Sequence, residues 1–127
     1  MLFFKSGNLI VYPERFVAES CNKLLYDLTK REFMILLYFG RRAGKSVTRE
    51  ELHRMLPKDG KKVVNRTSKG LRRIDVYIRR LRKRTGWNVA TVRNIGYKVE
   101  RGYVNLTTIE RALHAQEKVL REKGLEL

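Results

Sequence analysis

The stretch Leu71–Arg84, LRRIDVYIRRLRKR, decides how the rest of the chain is read. Leu71, Ile74, Ile78 and Leu81 step by 3, 4 and 3, which makes one apolar stripe on an α-helix. At about 100° per residue, Arg73, Val76, Arg80 and Lys83 lie directly opposite that stripe. Arg72, Tyr77, Arg79 and Arg84 flank them, and Arg82 falls nearer the core edge. The only acid, Asp75, sits on the core-side flank. Surface charge that serves solubility alone mixes both signs, with acids placed to balance bases one turn away. Nothing balances these bases, so the face costs stability in the free protein and suits a polyanion. Arginine presents a planar fork that engages guanine O6 and N7 together or clamps phosphates. Valine offers a methyl surface to thymine, and the B-DNA major groove admits one helix.

The composition agrees with that reading. The chain has 127 residues, 43% of them hydrophobic, and a formal charge of +16. This suits one domain with a modest core rather than a disordered chain. The charge surplus points to nucleic acid, a membrane surface or an acidic protein as partner. A membrane span is not expected: the apolar runs Leu9–Tyr12 and Phe33–Phe39 fall far short of the roughly 20 residues required. The opening MLFFKSGN lacks the pattern of a signal peptide. The single cysteine, Cys21, allows no intramolecular disulfide and reads as a small strand residue. A cytoplasmic protein of a prokaryote, or of a virus infecting one, is the expectation.

Working outward, residues 2–28 read as an antiparallel sheet of four short strands, with LFF and LIVY flanking a Ser6-Gly7-Asn8 turn. Thr29-Lys30-Arg31-Glu32 is a capping box opening a helix over about 29–42, and Thr48-Arg49-Glu50-Glu51 opens a second over 48–56, which Pro57 ends. A basic connection, PKDGKKVVNRTSK, leads to the cationic helix at 69–85. NVATVR and YKVERGYV then alternate as strands about Asn94-Ile95-Gly96, a hairpin placed at 88–104. From Asn105 the charges cancel, and the whole surplus lies in residues 1–104. Thr107-Thr108-Ile109-Glu110 offers a third capping box for an amphipathic helix within 105–127. Its stripe comprises Ile109, Ala112, Leu113, Gln116, Val119 and Leu120. The fold class is therefore α+β: a winged helix-turn-helix with an N-terminal antiparallel sheet, three helices, a C-terminal hairpin wing and an extra C-terminal helix. In that order of elements the third helix enters the major groove and the wing sends a basic side chain toward the minor groove.

LTKREFMILLYF, GKSVTREEL, RRIDVYIRRLRKR and ATVRNIGYKV, in this order and spacing, resemble the effector domain of OmpR/PhoB-type response regulators. The resemblance covers roughly residues 2–102, with IDVYIRRLRK and TVRNIGY its most specific pieces. It implies that Arg80 reads bases, that Val76 faces base methyls, and that Arg73, Tyr77, Arg79 and Arg82 approach the phosphate backbone or groove edge. In the wing it implies that Thr91 and Arg93 touch phosphate and the minor groove. Asp75, Gly96 and Tyr97 match positions that are mainly structural. Arg72, Lys83 and Arg84 join the DNA-binding set through their place on the cationic face. Family members usually carry a receiver domain with a phosphorylated aspartate; a chain of this length is expected to stand without one. The connection before the third helix often meets RNA polymerase in activators. Here it lacks the aromatic common at its start, and DNA phosphates are the alternative. The C-terminal helix lies outside the family pattern. It either packs on the N-terminal sheet or pairs with a second subunit, so double-stranded DNA, RNA polymerase and a homodimer are the partners weighed.

Other chemistry is set aside. GRRAGKS at 40–46 has three residues between its glycines where a P-loop needs four, and it follows a helix rather than a strand. His53 and His114 stand alone, without a ligand cluster, so no metal or cofactor is expected. Glu50 and Glu51 point apart on a helix, and Glu51 reads as a cap. Trp87 reads as packing between the cationic helix and the wing rather than as a base-stacking platform. No nucleophile–base arrangement stands out, and the protein reads as a non-enzyme. The rival functions are a winged helix that targets RNA polymerase or a regulator, and a non-specific architectural DNA binder.

Overall fold

The computed structural model describes residues 2–56 and 68–122. The chain opens with strands β1 (Phe4–Ser6), β2 (Leu9–Tyr12), β3 (Val17–Glu19) and β4 (Leu25–Asp27), followed by helix α1 (Lys30–Arg41). A short strand β5 (Val47–Thr48) precedes helix α2 (Arg49–Met55). The long helix α3 (Ser68–Thr85) is followed by β6 (Ala90–Val92), β7 (Gly96–Lys98), β8 (Gly102–Tyr103) and helix α4 (Leu106–Glu122). The architecture is the expected α+β winged helix with one helix appended.

Alternation builds the N-terminal sheet. Phe4, Ser6, Leu9, Val11 and Ala18 are fully buried on its inner face, while Lys5 between them is exposed. Phe33 of α1 meets Phe4 edge-on at 5.9 Å and stacks on Phe16 at 4.4 Å, which seats the helix on that face. Two features depart from the expected sheet. It has five strands, in the order β4-β3-β2-β1-β8, and the hairpin assigned to 88–104 ends at Lys98. Gly102 and Tyr103 cross over to pair with Ser6 and Lys5. Glycine permits this. A Cβ on Gly102 would stand 2.6 Å from the Gly40 carbonyl oxygen, and a Cβ on Gly40 would stand 2.8 Å from that of Lys5. The helix backbone therefore lies against the sheet edge without side chains between them. Cys21 is exposed in the turn between β3 and β4, not in a strand.

Both capping boxes form as expected. Thr29 Oγ1 accepts from the Glu32 amide at 3.1 Å and Thr48 Oγ1 from the Glu51 amide at 3.1 Å, with each glutamate reaching back to its cap. The third does not. Asn105 caps α4 instead, its side-chain oxygen accepting from Thr108 N at 2.7 Å, so the helix starts at Leu106. Asparagine is the stronger N-cap residue. Of the expected α4 stripe, Ala112 is buried, Ile109 is half-buried and Leu113 is exposed, while the side chains of Gln116, Val119 and Leu120 lie outside the described residues. Thr108 and Ala112 are buried, whereas Leu106 and Leu113 are 73% and 46% exposed. Small side chains let the helix approach the body, and Leu106 and Leu113 turn outward.

Candidate nucleic-acid interface

Helix α3 is fixed by its apolar stripe: Ile74, Ile78 and Leu81 are buried in the common core with Leu52 of α2 and Phe39 of α1. That docking leaves Arg72, Arg73, Arg79, Arg80 and Lys83 exposed on one face, with half-buried Val76 among them and half-buried Tyr77 at its edge. No ion pair engages any of these five cations among the described residues. The face is thus a fixed array of positive charge running from Arg72 to Lys83. The Arg31 guanidinium lies 4.4 Å from the centre of the Tyr77 ring and brings α1 to the rim of this surface. The sequence pattern did not reveal Arg31, because its relation to α3 exists only after packing.

The wing stands beside α3. β6 and β7 pair antiparallel, and β5, which periodicity did not reveal because it has two residues, pairs with the other side of β7. Asn94 takes φ 64° at the tip, and Ile95 N donates to Val92 O at 3.0 Å to close the turn. Arg93 and Thr91 are exposed. Ile95 is 50% exposed at the tip, an apolar contact point that the turn signal hid.

Two of the expected DNA contacts, Arg82 and Arg84, hydrogen-bond within the chain. Arg82 donates from Nε and a terminal nitrogen to Val89 O at 3.0 and 2.7 Å, and from the same terminal nitrogen to Thr91 Oγ1 at 3.0 Å. Its guanidinium also lies 5.4 Å from the centre of the Tyr97 ring. The helical wheel had already placed it near the core edge. Arg84 donates to Asp27 O at 2.8 Å and forms an ion pair with Glu32, which ties the end of α3 to β4 and α1. Thr91 accepts from Arg82, which leaves its own hydroxyl proton to donate outward.

Asp75 and Tyr97 have the structural character expected of them. Tyr97 OH donates to Asp75 Oδ1 at 2.6 Å, and Arg49 at the start of α2 pairs with Oδ2 at 3.1 Å. Burial first, then the Asp75 hydrogen bond, pushes the Tyr97 phenol up to about 12. One carboxylate therefore links α2, α3 and β7. Trp87 is buried, as its packing role required, and its contacts are with α1 and β1. It meets Phe39 edge-on at 5.2 Å and donates from Nε1 to Ser6 O at 3.0 Å. Asn8 and Asn88 close the same junction, each side-chain oxygen accepting from the other's backbone amide at 3.1 and 2.9 Å.

A family model described as "Transcriptional regulatory protein, C terminal" matches residues 23–99, more than half of the chain. The chain belongs to that family. Its match spans β4 to β7 and so takes in α3 and the wing hairpin, in keeping with the resemblance to OmpR/PhoB-type effector domains. Among solved structures, the chain is similar to the DNA-binding domain of CpxR from E. coli, at 25% identity and a TM-score of 0.56 over 78% of this chain and 96% of that one. It is also similar in fold to the DNA-binding domain of E. coli CadC, at 19% identity and a TM-score of 0.54 over 80% of this chain and 94% of that one. No curated protein sequence matches it. Within this C-terminal regulatory family the helix α4 lies beyond the matched residues. Among the described residues there is no group of three potential metal ligands, and no helix is long and apolar enough to cross a membrane.

Proposed function

We propose that this family member is a sequence-specific double-stranded DNA-binding transcriptional regulator, with α3 in the major groove and the β6–β7 wing at the adjacent minor groove. The observation that carries the reading is the one-sided face of α3: five exposed cations opposite a buried Ile74–Ile78–Leu81 stripe. The match to transcriptional regulatory proteins supports it, as does the likeness to the DNA-binding domain of CpxR. Arg80, Val76 and Arg73 read base edges, and Arg72, Arg79, Lys83 and Tyr77 approach the backbone. Thr91 and Arg93 act from the wing. Phosphate neutralisation supplies most of the affinity, so binding falls steeply with salt.

The test is a random-site selection followed by titration of the enriched duplex at fixed salt. Arg80→Ala should weaken binding to the enriched site by about 1–3 kcal/mol and leave random DNA nearly unchanged. Absence of any enriched motif would favour a non-specific architectural binder. Weak duplex binding even at low salt would favour a module that targets RNA polymerase or another regulator. The basic connection proposed for a polymerase or phosphate contact lies, over 57–67, outside the described residues. Exposure of Leu106 and Leu113 on α4 favours a second subunit over complete burial of that helix within one chain. Sedimentation of Leu113→Glu beside the wild type tests this: an unchanged monomer mass in both removes the homodimer.

A further inference from the structure

We infer that Arg82 is a positioning residue, not a DNA contact: it fixes the angle between the recognition helix and the wing, and so the register between major-groove and minor-groove reading. The inference rests on the proposed placement of α3 and the wing against DNA. Arg82 and Asp75 stand seven residues apart in α3, which is close to two full turns, so both face the same side of the helix. Each holds a different strand of the wing. Asp75 accepts from Tyr97 OH of β7 at 2.6 Å. Arg82 holds Val89 O, immediately before β6, at 3.0 and 2.7 Å, and Thr91 Oγ1 within β6 at 3.0 Å. β5 also pairs with β7; two anchors on α3 roughly 10 Å apart along the axis, one to each strand of the hairpin, fix how the wing is tilted against that helix.

Chemistry explains why arginine serves here. Val89 is buried, so its carbonyl needs a donor from within the protein. The planar guanidinium directs two N–H groups at that oxygen, a third contact at Thr91, and its face toward the Tyr97 ring at 5.4 Å. Lysine has the charge but not the fork. A phosphate contact tolerates that exchange better than a clamp does. The consequence for recognition is geometric. Arg80 on α3 and Arg93 beyond β6 reach DNA from separate elements, and the distance between their subsites is set by the Arg82 clamp.

The experiment combines three readouts on the full chain. First, Arg82→Lys, Arg93→Ala and the double variant are titrated with the selected duplex. The clamp predicts that each single change weakens binding by about tenfold and that the double variant is little weaker than either, because residues acting through one another are not additive. It also predicts that Arg82→Lys keeps base preference opposite α3 and loses it at the flanking wing positions. Full additivity, or wild-type affinity for Arg82→Lys, overturns the inference. Second, the Arg82 Nε–H signal of the wild type is followed by NMR. It should exchange slowly in the free protein and hold its position when duplex is added; a shift on adding duplex as large as that of Arg80 overturns the inference without any variant. Third, backbone amide exchange of free Arg82→Lys should speed up in β6 and β7 while β1, β2 and α1 keep wild-type rates. Equal wing exchange in the two proteins counts against the clamp. If the duplex arms fail because wild type selects no motif, the DNA reading has failed, and the free-protein exchange still decides whether Arg82 holds the wing.

Discussion

Replacing Tyr97 with phenylalanine tests the link that joins α2, α3 and the wing. The hydroxyl donates to Asp75 Oδ1 at 2.6 Å from a ring that is only 7% exposed. A hydrogen bond to a charged acceptor contributes about 1.5–3 kcal/mol. Two facts lower that figure here. The Asp75 side chain is 39% exposed, so water replaces the lost donor, and Arg49 still pairs with its other oxygen. Phenylalanine keeps the ring volume and leaves no orphan donor. The expected loss is about 1–1.5 kcal/mol, or a Tm roughly 5 °C lower for a domain of this size. The alkaline limb gives an independent check. The folded phenol is raised to about 12 from an ordinary value of 10.0, so the unfolded chain loses this proton first as pH rises. Tyr97 therefore contributes stability fully below pH 10, and that contribution is lost as pH climbs toward 12. Urea denaturation of wild type and Tyr97→Phe from pH 7 to pH 12 should show a gap that narrows above about pH 10. Equal stability at pH 7, or a gap that stays constant through the alkaline range, would refute the reasoning.

Other outcomes follow from the same contacts. Gly96→Ala places a Cβ 2.1 Å from Val47 O, so the β5–β7 pairing must shift; calorimetry should record a loss of about 1–3 kcal/mol, with weaker DNA binding. Glu51 is held below its ordinary value of 4.5, first by the Tyr38 hydrogen bond. Its stabilisation is thus present above pH 4.5 and lost as pH falls through the lowered folded value, and Glu51→Gln should flatten the acid limb of the stability profile. Trp87 is buried against α1 and β1, so its fluorescence should be blue-shifted in the free protein and nearly unchanged when saturating duplex is added; strong quenching would place it at the interface instead.

Much of the site was legible because helical periodicity is local. The spacing of Leu71, Ile74, Ile78 and Leu81 orients every other side chain of α3, and the exposed cations follow from it without a coordinate. The capping boxes at Thr29 and Thr48 were equally local, since each bond closes within three residues. The Asn105 cap was missed because a neighbouring Thr-x-x-Glu pattern carried a competing signal. The strand β5 was missed because two residues carry no period, and Gly102–Tyr103 was assigned to the wing because its partner β1 lies far along the chain.

By itself, the sequence determined the cationic face of α3, the order of elements and the turn that makes a wing. Those properties depend on residues within a few positions of one another. Tertiary structure decided which partners the arginines find within the chain. Arg80 and Arg82 are two residues apart and chemically identical, yet one points to solvent and the other spends its fork on Val89 and Thr91. A helical wheel gives the direction of a side chain; only the packed wing supplies the carbonyl and hydroxyl that capture it.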